Sequence, residues 1–311
     1  MAGFRPPLGH LCARAMAAAA ERTAGITGFE CAGVPFSMTL EAQSLGAAVD
    51  LGSDGREPVV SAYPCATPAD MARLRLPDPE GDGPLLVLLE ALDRLRARDL
   101  PVPVVGNLTG PLTLATCLVE PALFLRAMRR DPAGTHEVLS VLTGFLVDLG
   151  RAQIRAGADL VAVSDPTATG EILGPDLFDR FARPHLGRLC GALAREGRPV
   201  LLHICGRVGR VLGSVAAIDG VGVFSFDASV DPAEVRARLP ARVVAMGNVS
   251  TWLLERGSPA QVARAARACL ARGVEILAPA CGIGFGTPLE NLRALTGAVP
   301  GGGDPLACPP G

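Results

Sequence analysis

Short apolar runs rich in β-branched residues alternate with longer amphipathic stretches from about residue 100 onward. This alternation is typical of βα units around a parallel sheet. Six runs predict six strands, which end at Asn107, Asp165, Cys205, Asp227, Asn248 and Cys281. Active sites lie at the carboxyl ends of the strands both in barrels and in doubly wound sheets, so polar strand ends fit either fold. The number of repeats favours an α/β fold of the TIM (β/α)8-barrel type.

The first hundred residues follow the pattern less regularly. Residues 38–52 and 85–100 predict helices, and residues 28–36 predict only a weak strand. Because no eighth strand can be drawn, we expect the first barrel strand to be missing or irregular. Residues 1–311 are interpreted as one barrel domain, with an irregular helical part over about 1–100 and a flexible Gly- and Pro-rich tail over about 300–311.

The amino-acid composition argues against several classes of function. Hydrophobic residues make up 49% of the chain and charged residues 19%, which indicates a globular protein with a large core. A net charge of -2, one Trp and one Tyr argue against nucleic-acid binding. All cationic side chains except His are Arg, so Schiff-base lysine chemistry and a Walker-type phosphate lysine are excluded.

Cysteine usage and hydropathy indicate the compartment. The nine Cys are an odd number without a repeating frame, which favours reduced thiols over a disulfide scaffold. The sequence has no secretory signal pattern and no uninterrupted apolar run long enough to span a membrane. We therefore expect a cytoplasmic protein that does not bind membranes.

His203 and Cys205 form a candidate metal site at the end of one predicted strand. Residues two apart on a strand face the same side, so both can point into the barrel mouth. Cys281 ends another strand and is the natural third ligand, and one His with two Cys suits Zn²⁺. Isolated His-x-Cys pairs are usually ordinary buried residues, but the two strand ends together favour a metal site.

Three protein ligands leave a fourth position open, as in catalytic zinc sites. A thiol bound there loses its proton, because the cation depresses the thiol pKa. Two Cys ligands keep electron density on that sulfur, so this site favours thiol alkylation over hydrolysis. Three nearby glycines, Gly282, Gly284 and Gly286, do not have dinucleotide-binding spacing and are interpreted as room for backbone near a ligand.

The other strand ends supply further candidates. Asp227 is the predicted catalytic residue and an occasional fourth zinc ligand. Asn107, Asp165 and Asn248 are predicted to bind substrate, and the competing interpretation is that they cap the loops after their strands. Glu41 is equally explained as a charge on a helix face.

Four segments together resemble a known family. They are LLHICGRVGRVL, VVAMGNVSTWLLERGSP, VEILAPACGIGFGTPLENLRAL and VPFSMTLEAQSLGAAVDLG. Over about residues 20–298 the chain resembles the uroporphyrinogen decarboxylase superfamily, most closely its methylcobamide:coenzyme M methyltransferase branch. The resemblance implies a TIM barrel whose zinc, held by His203, Cys205 and Cys281, binds the acceptor thiol. It also implies that the thiol takes a methyl group from a methylcobamide on a partner corrinoid protein, with coenzyme M as the best-known acceptor.

Two departures from the family pattern keep alternatives open. Family members normally have a further N-terminal segment that supplies the first strand, so the barrel is expected to be incomplete or unusually closed. The Gln-Ala-Gly-Arg loop by which the decarboxylases handle substrate carboxylates is absent from the sequence. Metal-independent porphyrinogen decarboxylation is therefore the second hypothesis. The third is a non-catalytic barrel that binds a corrinoid, a metal or a partner protein.

Overall fold

Seven parallel strands form one curled sheet in the computed structural model, which describes residues 7–53, 55–81 and 83–299. The predicted flexible tail over 300–311 lies outside the described residues. The strands are β1 (Ala32–Val34), β2 (Ala48–Asp50), β3 (Val59–Ala62), β4 (Val104–Thr109), β5 (Leu160–Ser164), β6 (Val200–Ile204), β7 (Val223–Phe226), β8 (Val244–Val249) and β9 (Ile276–Pro279). Strands β2 and β3 form a separate antiparallel hairpin.

Helices connect the parallel strands. They are α1 (Leu8–Leu11), α2 (Ala13–Thr27), α3 (Leu40–Ser44), α4 (Gly83–Arg96), α5 (Pro111–Leu118), α6 (Pro121–Arg130), α7 (Pro132–Ala156), α8 (Gly174–Leu177), α9 (Arg183–Ala194), α10 (Leu212–Ala216), α11 (Pro232–Arg238), α12 (Thr251–Arg256), α13 (Pro259–Ala271) and α14 (Leu289–Thr296). Within the described residues, no single helix combines the length and apolar composition needed to cross a membrane. The pair α5 and α6 meets both criteria only together and is bent by 117°.

The order of the strands confirms a barrel-type sheet. In space the sheet runs β1-β4-β5-β6-β7-β8-β9, so the parallel strands follow one another in chain order. A doubly wound sheet reverses its order at a switch point, and this one does not. In the described part of the chain, β1 and β9 are the two edges, with no strand between them. Over the described residues the fold is a TIM-type half-barrel with seven parallel strands, which agrees with the predicted barrel whose first strand is missing or irregular.

Local signals explain why the elements start and stop where they do. Helix α7 begins with Pro132 in its first turn, and the carboxylate of Asp131 accepts the backbone N–H of Gly134 at 3.0 Å. It ends at Gly157, whose φ of 119° only glycine adopts easily. The weak strand predicted over 28–36 is β1. The helix predicted over 38–52 is shorter than expected, because Gly46 with φ of 95° leads the chain into the hairpin.

The register between strands positions the site. In β6, Leu202 and Ile204 are fully buried against the surrounding helices, while Leu201 and His203 are partly exposed on the concave side of the sheet. The ladder pairs Ser164 with His203 and His203 with Ser225. His203 therefore lies in the top inward-facing layer of the sheet, close to the carboxyl ends of the strands.

Candidate metal centre

Three potential ligands converge at the carboxyl ends of β6 and β9. The Nε2 atom of His203 lies 2.9 Å from the Sγ atom of Cys205. That sulfur lies 3.1 Å from the Sγ atom of Cys281. One ligand atom from each residue lies within 4.8 Å of the other two. The structure therefore brings together the three residues that the sequence singled out as metal ligands.

A serine on the neighbouring strand orients the histidine. The Nδ1 atom of His203 lies 3.0 Å from the hydroxyl of Ser225, which is buried in β7. With Nδ1 protonated and donating to this hydroxyl, Nε2 carries the lone pair that a metal requires. A hydrogen bond to the ring nitrogen that does not bind the metal fixes the orientation of a metal-binding histidine. Ser225 was not predicted as a site residue. Its place two residues before Asp227 puts it on an inward-facing position, but its contact with His203 depends on the register between β6 and β7.

The two cysteines differ in acidity without a metal. Hydrogen bonds from the Cys205 thiol and from His203 lower the pKa of Cys281 to about 4. The same hydrogen bond, burial and the charge of Asp227 raise the pKa of Cys205. The pair therefore holds one proton, on Cys205, against a thiolate on Cys281. A bound metal has to replace that proton and also the one that His203 donates to Cys281, so metal binding releases protons to solvent.

The donor set fits zinc. One imidazole nitrogen and two thiol sulfurs are ligands that zinc prefers, and Cys281 is exposed, so one side of the cluster stays open to the mouth. Tetrahedral zinc with Zn–S bonds of about 2.3 Å holds two sulfurs about 3.8 Å apart. The observed separation of 3.1 Å means that the two sulfurs would have to part by about 0.7 Å to hold zinc.

Close packing fixes the loop that carries Cys205. Gly206 has a φ of 72°, and a Cβ atom built there lies 2.7 Å from a carboxylate oxygen of Glu171 and 2.8 Å from the hydroxyl of Thr169. The same carboxylate accepts the backbone N–H of Arg207 at 3.3 Å. Only glycine meets both requirements at this position. The loop after β5 therefore packs closely against the loop after β6 and holds it in place.

Of the three glycines after Cys281, only Gly286 has a close neighbour that requires glycine. A Cβ atom on Gly286 lies 2.9 Å from the Glu255 carboxylate of α12, and one on Gly284 lies 3.7 Å from it. Nothing lies within 4 Å of a Cβ atom built on Gly282. At Gly286 the missing side chain makes room for Glu255, so for this residue the interpretation as space near a ligand was wrong.

Asp227 lies near Cys205, and Asn248 contacts the loop that carries Asp227. The Asp227 carboxylate accepts the N–H of Ser229 at 2.7 Å, and its charge raises the pKa of Cys205, but it is not among the three clustered ligands. The buried Asn248 amide donates to the carbonyls of Asp227 at 3.0 Å and Val230 at 2.8 Å. Asn248 thus holds the loop that carries Asp227. The catalytic role of Asp227 and the substrate-binding role of Asn248 stay predictions.

Asp165 is fully buried at the start of α5. Its carboxylate accepts the N–H groups of Leu112 at 3.1 Å and Thr113 at 2.9 Å, and the Thr113 hydroxyl at 2.6 Å. Burial raises its pKa to about 6. This is a capping arrangement, the competing interpretation of this residue, so substrate binding by Asp165 stays a prediction without a contact in its favour. Of the three predicted substrate-binding residues, Asn107 alone is partly exposed, and its amide donates to the carbonyl of Pro35 at 2.9 Å.

Glu41 is a buried carboxylate that the sequence left open as a surface charge. It accepts the N–H of Thr109 at 2.7 Å and the Thr109 hydroxyl at 3.0 Å. That hydroxyl also lies 3.1 Å from the carbonyl of Met38. Burial raises the pKa of Glu41. Glu41 therefore joins α3 to the carboxyl end of β4, and nothing in its sequence neighbourhood distinguished this from exposure on a helix.

Comparison with known proteins places this geometry in a family. The family model described as uroporphyrinogen decarboxylase (URO-D) matches residues 9–301. The chain is 30% identical to the methylcobamide:CoM methyltransferase MtaA of Methanosarcina barkeri over 94% of its own length and 86% of that protein. It is 32% identical to a methylated-thiol:coenzyme M methyltransferase of Methanosarcina mazei over 94% and 78% of the two lengths.

A solved structure agrees with this relationship. A methyltransferase from Methanosarcina mazei superimposes with a TM-score of 0.89 at 29% identity, covering 96% of this chain and 88% of that one. Both the family match and these relatives span nearly the whole described barrel, including the strands that carry the three clustered ligands. The chain belongs to the uroporphyrinogen decarboxylase family.

Proposed function

We propose that the chain is a zinc-dependent methyltransferase that moves a methyl group from a methylcobamide to a small thiol such as coenzyme M. One observation carries the proposal: His203, Cys205 and Cys281 converge within 4.8 Å in a chain similar to methylcobamide:CoM methyltransferases. A metal-independent decarboxylase gives these three convergent ligands no role. The methyl donor is a methylcobamide carried by a partner corrinoid protein.

The residues of the cluster have separable roles in this proposal. His203, Cys205 and Cys281 would hold zinc, which when bound would lower the pKa of an acceptor thiol and keep its thiolate nucleophilic. Ser225 holds the imidazole of His203 in one orientation and one tautomer. Asp227 supplies a carboxylate beside Cys205, where it is our candidate for the resting fourth ligand and for receiving the acceptor's proton.

The remaining residues shape the site around the acceptor. Asn107 lies on the inward face of β4 and is our candidate to bind the acceptor directly. Asp165 and Asn248 act through the loops that they hold. In the transfer the acceptor sulfur forms a bond to the methyl carbon, the cobalt–carbon bond breaks, and its electron pair stays on cobalt.

The cysteines also bear on the cellular compartment. Every cysteine in the described part of the chain is a free thiol, although Cys205 and Cys281 are close neighbours. Free thiols of this kind persist in a reducing compartment. We therefore place the proposed activity in the cytoplasm.

Metal analysis combined with a transfer assay tests the proposal. Purified protein is analysed for zinc and mixed with methylcobalamin and a panel of thiols, while the corrinoid spectrum is followed. Cys205→Ser and Cys281→Ser are expected to lose both zinc and transfer. Cys31→Ser, which changes an exposed thiol outside the cluster, is the matched control and keeps both. A metal-free protein that transfers methyl groups at the full rate contradicts the proposal.

A further inference from the structure

The two cysteines of the metal cluster form a sulfur pair of their own. Within the described residues, no other two cysteine sulfurs lie at hydrogen-bonding distance from each other. The separation of 3.1 Å between Cys205 and Cys281 exceeds a disulfide bond of about 2.05 Å by about 1 Å. It falls short of the separation of about 3.8 Å in a zinc site by about 0.7 Å. The pair therefore lies between two chemical uses, metal binding and disulfide formation.

The loop that carries Cys205 holds its sulfur in place. A Cβ atom built on Gly206 lies 2.7 Å from a carboxylate oxygen of Glu171. The same carboxylate accepts the backbone N–H of Arg207 at 3.3 Å and lies 3.5 Å from its Nε atom. On the other side, Nε2 of His203 lies 2.9 Å from the Cys205 sulfur. Cys205 is thus a half-buried thiol whose position is fixed by its neighbours.

The loop that carries Cys281 has more room. The N–H of Ala280 donates to the carbonyl of Val249 at 2.8 Å and anchors the chain where it leaves β9. Beyond that bond, Cys281 and Gly282 are both exposed, and no atom lies within 4 Å of a Cβ built on Gly282. Cys281 is therefore the sulfur that a small molecule reaches first. It also has space to move toward or away from Cys205.

We propose that Cys205 and Cys281 also form a thiol–disulfide exchange site that reacts with small-molecule disulfides. This activity goes beyond the proposed function, because it needs neither a corrinoid nor a methyl acceptor. In the first step the thiolate of Cys281 attacks one sulfur of the small disulfide. A bond forms between these two sulfurs, the bond within the small disulfide breaks, and one small thiolate leaves.

The second step takes place within the protein. The sulfur of Cys205 attacks the sulfur of Cys281, the mixed disulfide breaks, and the second small thiolate leaves. The two protein sulfurs lose two electrons, which the small disulfide gains, and the protons of the protein thiols end on the two released thiols. Because the Cys205 sulfur already lies 3.1 Å from Cys281, this step is faster than attack by a second small thiol.

A disulfide between these two residues excludes a metal from the cluster. Cysteine binds metals as the thiolate, and disulfide formation consumes both thiols. Cys281 also has to move toward Cys205 to form the disulfide and away from it to hold zinc. The capacity of the cluster for metal therefore falls as the ratio of small disulfide to small thiol rises, and a reductant restores it.

Reaction with 2-hydroxyethyl disulfide tests this inference. The full chain is stripped of metal with a chelator, incubated with the disulfide, and analysed by peptide mass mapping and by zinc uptake. We expect the peptides of Cys205 and Cys281 to become linked to each other and to carry no hydroxyethyl group. Zinc uptake should be lost with the link and return after reduction. Protein loaded with zinc beforehand should resist the reaction.

Serine variants separate the two steps. Cys205→Ser keeps the exposed thiol but has no second thiol to resolve the adduct, so we expect a mixed disulfide to accumulate on Cys281. Cys281→Ser leaves only the half-buried thiol, and we expect no adduct on Cys205 in the same time. Cys31→Ser removes an exposed thiol outside the cluster and is the control. It should form the link at the rate of the wild type.

The wild-type protein alone suffices to overturn the inference. A mixed disulfide that persists on Cys281, a link from either cysteine to another residue, or a linked protein that still takes up zinc each contradicts it. The result is also independent of methyl transfer. A linked protein that methylates no thiol supports the exchange site and refutes the transferase. Methyl transfer by a protein that forms no link overturns the exchange site and leaves the transferase standing.

Discussion

The sulfur atoms of Cys205 and Cys281 lie 3.1 Å apart although 76 residues separate them in the chain. The first follows β6 and the second follows β9, two strands that are not neighbours in the sheet. Only the curl of the sheet brings their carboxyl ends together across the mouth. The metal cluster therefore depends on the curl of the sheet, and any change that shifts one of the two loops alters its geometry.

Removing the hydroxyl that orients His203 should weaken metal binding without touching a ligand. Ser225→Ala deletes the contact to Nδ1 at 3.0 Å, so the imidazole loses its fixed tautomer and orientation. We expect zinc affinity to fall about 10- to 100-fold, measured by competition with a chromophoric chelator. Ser44→Ala, which removes a hydroxyl bonded within α3, is the control. Equal zinc affinity in the Ser225 variant and the wild type refutes the orienting role.

The two glycines next to the cysteine ligands should respond oppositely to alanine. Gly206→Ala forces a Cβ atom to within 2.7 Å of Glu171 at a φ of 72°, so the loop with Cys205 has to move. We expect loss of zinc binding and a free energy of unfolding lower by about 1 to 3 kcal/mol. Gly282→Ala meets no atom within 4 Å and should keep its zinc. Denaturant unfolding and metal analysis of both variants decide this, and zinc loss in both or neither contradicts the packing argument.

Much of this site was predictable from the sequence because strand ends and side-chain parity are local properties. The apolar runs located β6 and β9, and the spacing of His203 and Cys205 put both on one face. Ser225 was not found because its contact depends on the register between β6 and β7, which no single segment encodes. The hairpin β2–β3 was missed for a similar reason, since its strands are short and their pairing is not visible in either one alone.

Polar strand ends illustrate a second limit of sequence reasoning. Asp165, Asn248 and Asn107 all end apolar runs, and the pattern treats them alike. In the structure Asp165 binds the first turn of α5 and Asn248 binds the loop after β7, while Asn107 stays on the inward face. Which way such a side chain turns depends on the donors and acceptors that nearby loops offer. Those partners become known only with the fold.

His185 should make the protein less stable in mild acid. It is buried between α7 and α9, with Nε2 at 3.1 Å from Nδ1 of His136, and burial lowers its pKa from 6.5 to about 4. The unfolded chain binds a proton below pH 6.5 and the folded chain does not, so stability is complete above pH 6.5 and falls as the pH drops toward 4. The loss approaches about 3 kcal/mol. Urea unfolding of His185→Gln from pH 7 to 4 should lack this loss, and an unchanged pH profile would argue against a buried neutral imidazole.

Asp165 should act in the opposite direction over nearly the same range. Burial raises its pKa from 3.8 to about 6, so the folded chain keeps a proton that the unfolded chain releases. Its contribution to stability is complete below pH 3.8 and is lost as the pH rises through 6. Asp165→Asn removes this titration, and its free energy of unfolding should rise more steeply with pH than that of the wild type. The exposed Asp219→Asn serves as the control, and parallel profiles for Asp165→Asn and the wild type count against the assignment.

Zinc K-edge X-ray absorption with and without an acceptor thiol tests the central claim most directly. The cluster of His203, Cys205 and Cys281 predicts two sulfur ligands on the resting zinc and a third when coenzyme M is added. The added sulfur is the acceptor itself, bound at the position that the open side of the cluster provides. A sulfur count that stays at two in saturating thiol, or a protein that binds no zinc, contradicts the account.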